Sequence, residues 1–512
     1  MTDRNEWDVI VVGSGIGGLA AGAALARNGR RVLLLERHFV LGGLTQTFER
    51  DGFRWDVGVH YLSDYGPDSP EGRLLRRLGV DDLRFGRLPE AYDRLHFPQG
   101  FRFDVRAPES AWLADLKAAF PAQKAAIDGY YTALEDATSV GPALFAARST
   151  PSLIGQAVRW WQGSRIERWA PLTTAEVIGR FVDDPKLAAV LAAQWGDFGG
   201  TPREGSFVLH ALVTRSFRNG AFYPVGGAGA IAPAFVRVIE RAGGQARLRA
   251  HVSQILLDGD RAVGVELADG SRIRARTVIS DIGARGTIER LLPPRWRDTD
   301  WARRILALAP NIANVALYLG LEGDIAAAGA SAANDWWYDT WSVDDVVWRD
   351  PFEQDRPLAV FVSFPSLKDP AHRGNRHTAE LHAWADWQLF ESWQSSDLGA
   401  RDGEYLALKE SLQRTLLDVF REKYPGLSAM IRFSEASTPL TMLAFTGHEQ
   451  GAFYGLETSP RRLMCDALSP RTPIGHLILA GQDVCTPGIG GALVGGVMAA
   501  GVVEPRVFGW LR

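Results

Sequence analysis

The first thirty-six residues switch hydrophobic period twice. Asp8–Val12 is an apolar, β-branched run, Ile16–Asn28 is a small-residue helical stretch closed by Gly29, and Arg31–Leu35 is a second apolar run ending in Glu36. That pattern predicts a buried strand, a crossover helix and a parallel strand. Further along, Gly226–Gly244 predicts a glycine-opened helix. Arg247–Asp281 alternates apolar and polar residues around turns at Asp258-Gly259-Asp260 and Asp269-Gly270, which predicts a β-meander whose buried end, Thr277–Ser280, rejoins the first sheet. Ala111–Ala119, Gln123–Leu134 and Thr174–Ala193 have helical spacing. Later segments predict strands over Asn314–Leu319 and Leu358–Ser363, and long helices over His377–Trp393 and Glu404–Lys423. Near the C-terminus, His476–Ala480 predicts a buried strand and Gly488–Val503 a small-residue helix.

Chemistry enters at the first strand-to-helix turn, where Gly13, Gly15 and Gly18 spell G-x-G-x-x-G. Glycines there permit a tight turn and close backbone approach, the helix N-terminus holds a pyrophosphate, and the acid ending the second strand, Glu36, accepts from ribose hydroxyls. The continuation favours FAD over a nicotinamide. Instead of a repeating βα pattern, the chain runs into a glycine-rich loop with Gly42 and Gly43, then FRWDVGVHYL over residues 53–62. Gly481-Gln482-Asp483 follows the last strand, which places Asp483 to bond ribityl hydroxyls or the pyrophosphate region, and Gly490 and Gly491 open another helix near the flavin. A second G-x-G-x-x-A at Gly227–Ala232 lacks a preceding strand and a following acid, so it is not expected to bind NAD(P)H.

The chain resembles, over nearly its whole length, the phytoene desaturase, carotenoid isomerase and retinol saturase family of FAD-dependent oxidoreductases. The resemblance rests on VVGSGIGGLAAGAALA, FRWDVGVHYL, the stretch from Gly196 to Ala232, the meander, STPLTMLAFTGHEQGAFYGL and LAGQDVCTPGIGGALVGGVMAAG. It is nearest to the retinol saturase and carotenoid isomerase branch. Leu44 departs from the arginine that desaturases and amine oxidases often carry after the glycine pair. The resemblance implies an α/β Rossmann-type FAD-binding domain, discontinuous over residues 1–105, 220–290 and 450–512. An α+β substrate domain then covers 106–219 and 291–449, as in amine oxidases. The cofactor contacts it implies are Gly13, Ser14, Gly15, Ile16, Gly17 and Gly18 in the turn, with Glu36 and Arg37. They continue through Gly42, Gly43, Leu44 and Thr45, then Gly58, His60 and Val252, the last through its backbone to the adenine, and close with Gly481, Asp483, Gly490 and Gly491.

A chain of 512 residues exceeds a single core, so two domains are expected. A net charge of −4 gives no electrostatic case for nucleic acid. Two cysteines, Cys465 and Cys485, without a CxxC or His-rich cluster, argue against a disulfide scaffold and a structural zinc, and no metal is expected. Cys485 is expected to be a buried small residue rather than a redox thiol. No stretch offers about 20 clean apolar residues for a membrane span. The expected compartment is the cytoplasm, with peripheral contact at the inner face of its membrane.

The seventeen tryptophans change the picture of the substrate. Trp rings suit a long apolar tunnel and a membrane interface. Leu153–Trp169 joins Trp160 and Trp161 to Arg159, Arg165 and Arg168. That composition fits either an interfacial helix admitting a lipid-soluble substrate or an ordinary amphipathic helix packed on the domain. For proton exchange at a C=C bond the candidates are His60 and Tyr454. Of His60 and its neighbour Tyr61, alternation in an extended loop predicts that only one faces the ring. Thr438 is expected on the substrate side, Asp197 as a turn former, and His210 as a packed helix residue. The resulting expectation is an FAD-dependent oxidoreductase that saturates or desaturates C=C bonds of a long apolar carotenoid-, retinoid- or isoprenoid-like substrate. Redox-neutral carotenoid cis–trans isomerisation, a flavin amine oxidase and a non-enzymatic isoprenoid carrier are the alternatives. A reduction would draw electrons from a diffusible donor or an electron-donor protein.

Overall fold

Two seven-stranded sheets organise the chain in the computed structural model, which describes residues 7–150, 152–351 and 354–511. In the first, Trp7–Val12 lies between Val32–Leu35 and Arg272–Ser280, parallel to both, with Val9 opposite Val32 and Thr277. Gln245–Arg247 adds in parallel beyond Val32–Leu35, and Leu477–Leu479 beside Arg272–Ser280. The meander strands Val252–Asp258 and Arg261–Leu267 complete it. Three segments distant in sequence therefore share one sheet. The helix Ile16–Arg27 is buried along nearly its whole length between Gly488–Val503 and Ile231–Arg241. Its small residues are the condition for that packing: a Cβ on Gly17 would lie 2.5 Å from Gly481 Cα.

The second sheet runs Ile431–Ser437, Ala313–Glu322, Arg376–Ala385, Ala359–Ser363, Asn334–Tyr338, Ala91–Phe97, Phe101–Arg106. Two expectations are corrected here. The hairpin Ala91–Arg106 pairs with Asn334–Tyr338, so the chain crosses into the second sheet near residue 91 rather than 105. His377–Trp393 is no long helix: Arg376–Ala385 is a strand, hydrogen-bonded on both sides and followed by short turns. Its Ala, Leu and Glu favour helix, yet pairing and burial on both faces override that propensity. Glu404–Lys423 does form a helix, Gly403–Lys423.

Seven helices between Glu109 and Ser216 pack beside this sheet around Tyr130, Leu134, Phe207 and Trp195. The predicted helix over Thr174–Ala193 is two, Thr174–Phe181 and Pro185–Ala192. Proline lacks the N–H a continuous helix requires, and Asp184 caps the new start.

Candidate functional site

A cavity of about 900 Å³ extends from the first sheet, at Val12, Leu35 and Val252, to the loop of His60 and Tyr61 and the helix residues Phe145 and Leu212. One end is built by the glycine turn. The Ile16–Arg27 helix begins at Gly15 without a side-chain cap, and the Gly488–Val503 helix begins at Pro487 without one, so both present first-turn N–H groups to the cavity. Such ends attract anionic oxygens. Glu36 is buried beside them: Oε2 accepts from the Ser14 N–H at 2.9 Å and hydroxyl at 2.6 Å, and Oε1 from the His38 N–H at 2.8 Å. Ser14 Oγ in turn accepts from the Gly42 N–H at 3.1 Å. Glu36 thus fixes the turn as well as lining the cavity, a role the spacing alone did not reveal. Asp483 Oδ2 accepts from the Ala284 N–H at 2.8 Å, while Oδ1 is buried without a partner. An orphan acceptor facing a cavity calls for a hydroxyl donor. Uncapped helix ends for a diphosphate and two acids for hydroxyls fit FAD.

Among the cofactor residues expected from sequence, Gly18 and Gly481 stand behind the cavity wall and the others line it. Those two are needed for packing instead: a Cβ on either would run into the Gly13 carbonyl or the Asp281 carboxylate. Sequence reasoning missed Asp281, which lines the cavity at the end of Arg272–Ser280. A Cβ on Gly15 would lie 2.7 Å from Asp281 Oδ2, so the absent side chain makes room for this acid rather than for pyrophosphate alone. Burial, with the charges of Glu36 and Asp483, pushes Asp281 up to about 8 despite its bond from the Gly18 N–H. Its place directly after a buried run that rejoins the sheet was the available signal.

The far end of the cavity is both aromatic and polar. His60 and Tyr61 both line it. The Tyr61 hydroxyl lies 2.7 Å from Asp197 Oδ2 and 2.9 Å from Asp93 Oδ2. Asp93 also accepts from the amides of Gln194 at 2.6 Å and Asn334 at 2.7 Å. One phenolic proton serves one of these carboxyl contacts, so the other requires a proton on the carboxyl itself. Burial and the charge of Asp93 hold Asp197 well above the usual carboxylate range, which makes Asp197 the protonated member. Asp197 is therefore an enclosed acid on the cavity wall rather than a mere turn former.

His60 Nδ1 lies 3.3 Å from Glu380 Oε2, and His382 Nε2 lies 3.7 Å from the same oxygen. Burial, then His382 and Lys368, keep His60 well below the ordinary histidine range, so it is neutral. Lys368 donates to the His60 carbonyl at 2.7 Å and to Ser363 Oγ at 2.6 Å, and burial brings it down to about 7. Tyr454 lines the cavity, its phenol raised by burial. Cys485 is buried, with its thiol pushed up to about 11. Thr438 lies outside the cavity, capping Pro439–Thr446 and meeting the Tyr405 hydroxyl at 2.9 Å. His210 packs inside the helical layer against Tyr130 at 2.7 Å. Ala228 of the second glycine motif donates to Asp56 at 3.1 Å.

Comparisons with known proteins agree with this geometry. The family model described as flavin containing amine oxidoreductase matches residues 16–503. All-trans-retinol 13,14-reductase of Danio rerio is 30% identical over 525 residues, covering 98% of this chain and 86% of that protein. Prolycopene isomerase of Arabidopsis thaliana is 26% identical over 506 residues, covering 96% and 82%. Cyclohexylamine oxidase from Brevibacterium oxydans superposes with a TM-score of 0.63 at 18% identity, covering 98% of this chain and 99% of that one. The last likeness shows the fold.

Proposed function

This chain belongs to the flavin-containing amine oxidoreductase family, and from that premise we propose that it is an FAD-dependent reductase of C=C bonds in a long, apolar, retinoid-like polyene. The observation that carries the reading is a single cavity with a dinucleotide cradle at one end and an enclosed proton donor among aromatic side chains at the other. The likeness to retinol reductases over nearly the whole chain supports it.

Bound FAD supplies two-electron chemistry, giving or taking a hydride. The protein's part is the second hydrogen. Asp197 holds a proton at its carboxyl oxygen that can pass to a substrate carbon; the resulting carboxylate keeps the Tyr61 hydroxyl as a donor and takes its next proton from water once product leaves the cavity. Neutral His60 is a weaker donor and serves to shape the wall. Cys485 takes no part. Reduction consumes two electrons from an external reductant, a diffusible donor or an electron-donor protein.

Substrate entry fits a membrane surface. The cavity reaches Ser149 and Thr150, just before the helix Ser152–Trp169, on which Leu153, Ile154, Trp160 and Trp161 are exposed. Exposed tryptophans flanked by Arg159, Arg165 and Arg168 suit a helix lying in lipid headgroups. Among the described residues no helix is long and apolar enough to cross a membrane.

The test is anaerobic turnover of chemically reduced enzyme with all-trans-retinol. A product two mass units heavier, formed in step with flavin reoxidation, is expected. Unchanged mass with the flavin still reduced would transfer the assignment to isomerisation, the reaction named for the prolycopene isomerase relatives.

A further inference from the structure

We propose that His60, Glu380 and His382 bind one divalent transition-metal ion of borderline softness, such as Zn²⁺, at the inner wall of the cavity. The strand Arg376–Ala385 puts Glu380 and His382 on one face, because residues two apart point the same way. The loop following Phe53–Asp56 brings His60 against that face. A ligand atom from each of the three lies within 4.8 Å of those of the other two.

The second observation is independent of this proximity. His60 Nδ1, Glu380 Oε2 and His382 Nε2 are each buried without a hydrogen-bond partner, and Glu380 is fully enclosed. Three polar atoms left unsatisfied at one point are costly unless something else meets them. An ion with bonds of about 2.0–2.1 Å in tetrahedral geometry holds neighbouring donors about 3.3–3.4 Å apart. The 3.3 Å between His60 and Glu380 meets that distance, and the 3.7 Å between Glu380 and His382 is close to it. The two histidine nitrogens lie within 4.8 Å of each other, and binding the ion would draw them to the same spacing.

The surrounding groups orient these ligands. The Asp56 N–H bonds Glu380 Oε1 at 3.2 Å, leaving Oε2 to the histidines. Asn314 Nδ2 lies 2.8 Å from His382 Nδ1; turning that amide over puts its oxygen there to accept the Nδ1 proton, which leaves the Nε2 lone pair for the ion. The Lys368 ammonium is engaged by the His60 carbonyl, Asn334 and Ser363. Two histidines and one carboxylate leave further coordination positions open. His60 and His382 also line an aromatic pocket of about 50 Å³, which has room for a water or a substrate oxygen. The unpartnered Trp336 indole N–H on that pocket gives such an oxygen a donor.

The experiment uses the full-length, FAD-loaded protein, stripped with a strong chelator, freed of chelator, and titrated with Zn²⁺ and Co²⁺. Metal content after gel filtration is read by mass spectrometry, Kd by calorimetry, and site geometry from cobalt d–d bands to the red of the flavin absorption. The expected result is one ion per chain and a Tm that rises on loading. Both effects should disappear in Glu380→Gln and His382→Gln. If either variant fails to retain flavin, Asn314→Ala, which keeps all three ligands, decides: its Kd should weaken by about 10–100-fold. Stripped wild-type protein that takes up neither ion overturns the proposal, as does equal uptake by wild type and all variants. Neither result bears on the polyene reductase reading, which is tested by product mass.

Discussion

Asp483→Asn isolates the cofactor contribution of a single oxygen. In the structure Oδ2 accepts from the Ala284 N–H at 2.8 Å, and Oδ1 faces the cavity unpaired. Asparagine keeps an oxygen for Ala284 and replaces the cavity-facing acceptor with an amide NH₂. The fold is therefore retained, while a charge-assisted hydrogen bond from a cofactor hydroxyl is lost. Such a bond contributes about 1.5–3 kcal/mol, so FAD affinity should fall about 10- to 100-fold. Asp483→Ala should additionally strand the Ala284 N–H and lower the stability of the apoprotein by about 1–3 kcal/mol. The assay is titration of apoprotein with FAD, followed by quenching of flavin fluorescence, alongside thermal melts of the apo forms. An Asp483→Asn protein with wild-type FAD affinity would refute the assignment of Oδ1 to the cofactor.

Three other perturbations probe the remaining parts of the site. Asp197 is held protonated by burial, so reduction should proceed while it keeps its proton and decline as pH rises through its raised pKa. Asp197→Asn should slow the step by about 10²–10⁴-fold and remove that alkaline limb, as read by single-turnover flavin reoxidation at stepped pH. Gly15→Ala should lower Tm and FAD retention because its Cβ meets Asp281 Oδ2 at 2.7 Å; the double variant with Asp281→Ala should recover much of the Tm, and no recovery would disprove the clash. Replacing Trp160 and Trp161, 86% and 76% exposed, by serine should change stability by less than about 0.5 kcal/mol yet abolish liposome flotation; equal flotation would remove the entry helix.

The nucleotide cradle was legible because its determinants are local. G-x-G-x-x-G, the helix behind it and Glu36 sit within one βαβ unit, where spacing along the chain fixes spacing in space. The C-terminal helix was read to the residue, Gly488–Val503, and the meander was found because alternation and turn residues are also short-range signals. The opposite end of the cavity was hidden for a connected reason. Reading His377–Trp393 as a helix separates Glu380 from His382, since residues two apart on a helix point in different directions. As a central strand, enclosed on both faces, the same segment aims both at His60.

Whether Ala, Leu and Glu in that stretch form helix or strand is decided by the neighbours it hydrogen-bonds, Ala313–Glu322 and Ala359–Ser363, and no local period encodes them. The same holds for Asp197, whose proton depends on Tyr61 and Asp93 from other parts of the chain, and for Asp281, which fills the space that Gly15 and Gly17 leave open. Sequence alone determined the fold class and the cofactor, because backbone turns and side-chain periods act over a few residues. Tertiary structure alone decided which acids share protons and which side chains converge, because burial and charge act across whatever distance folding removes.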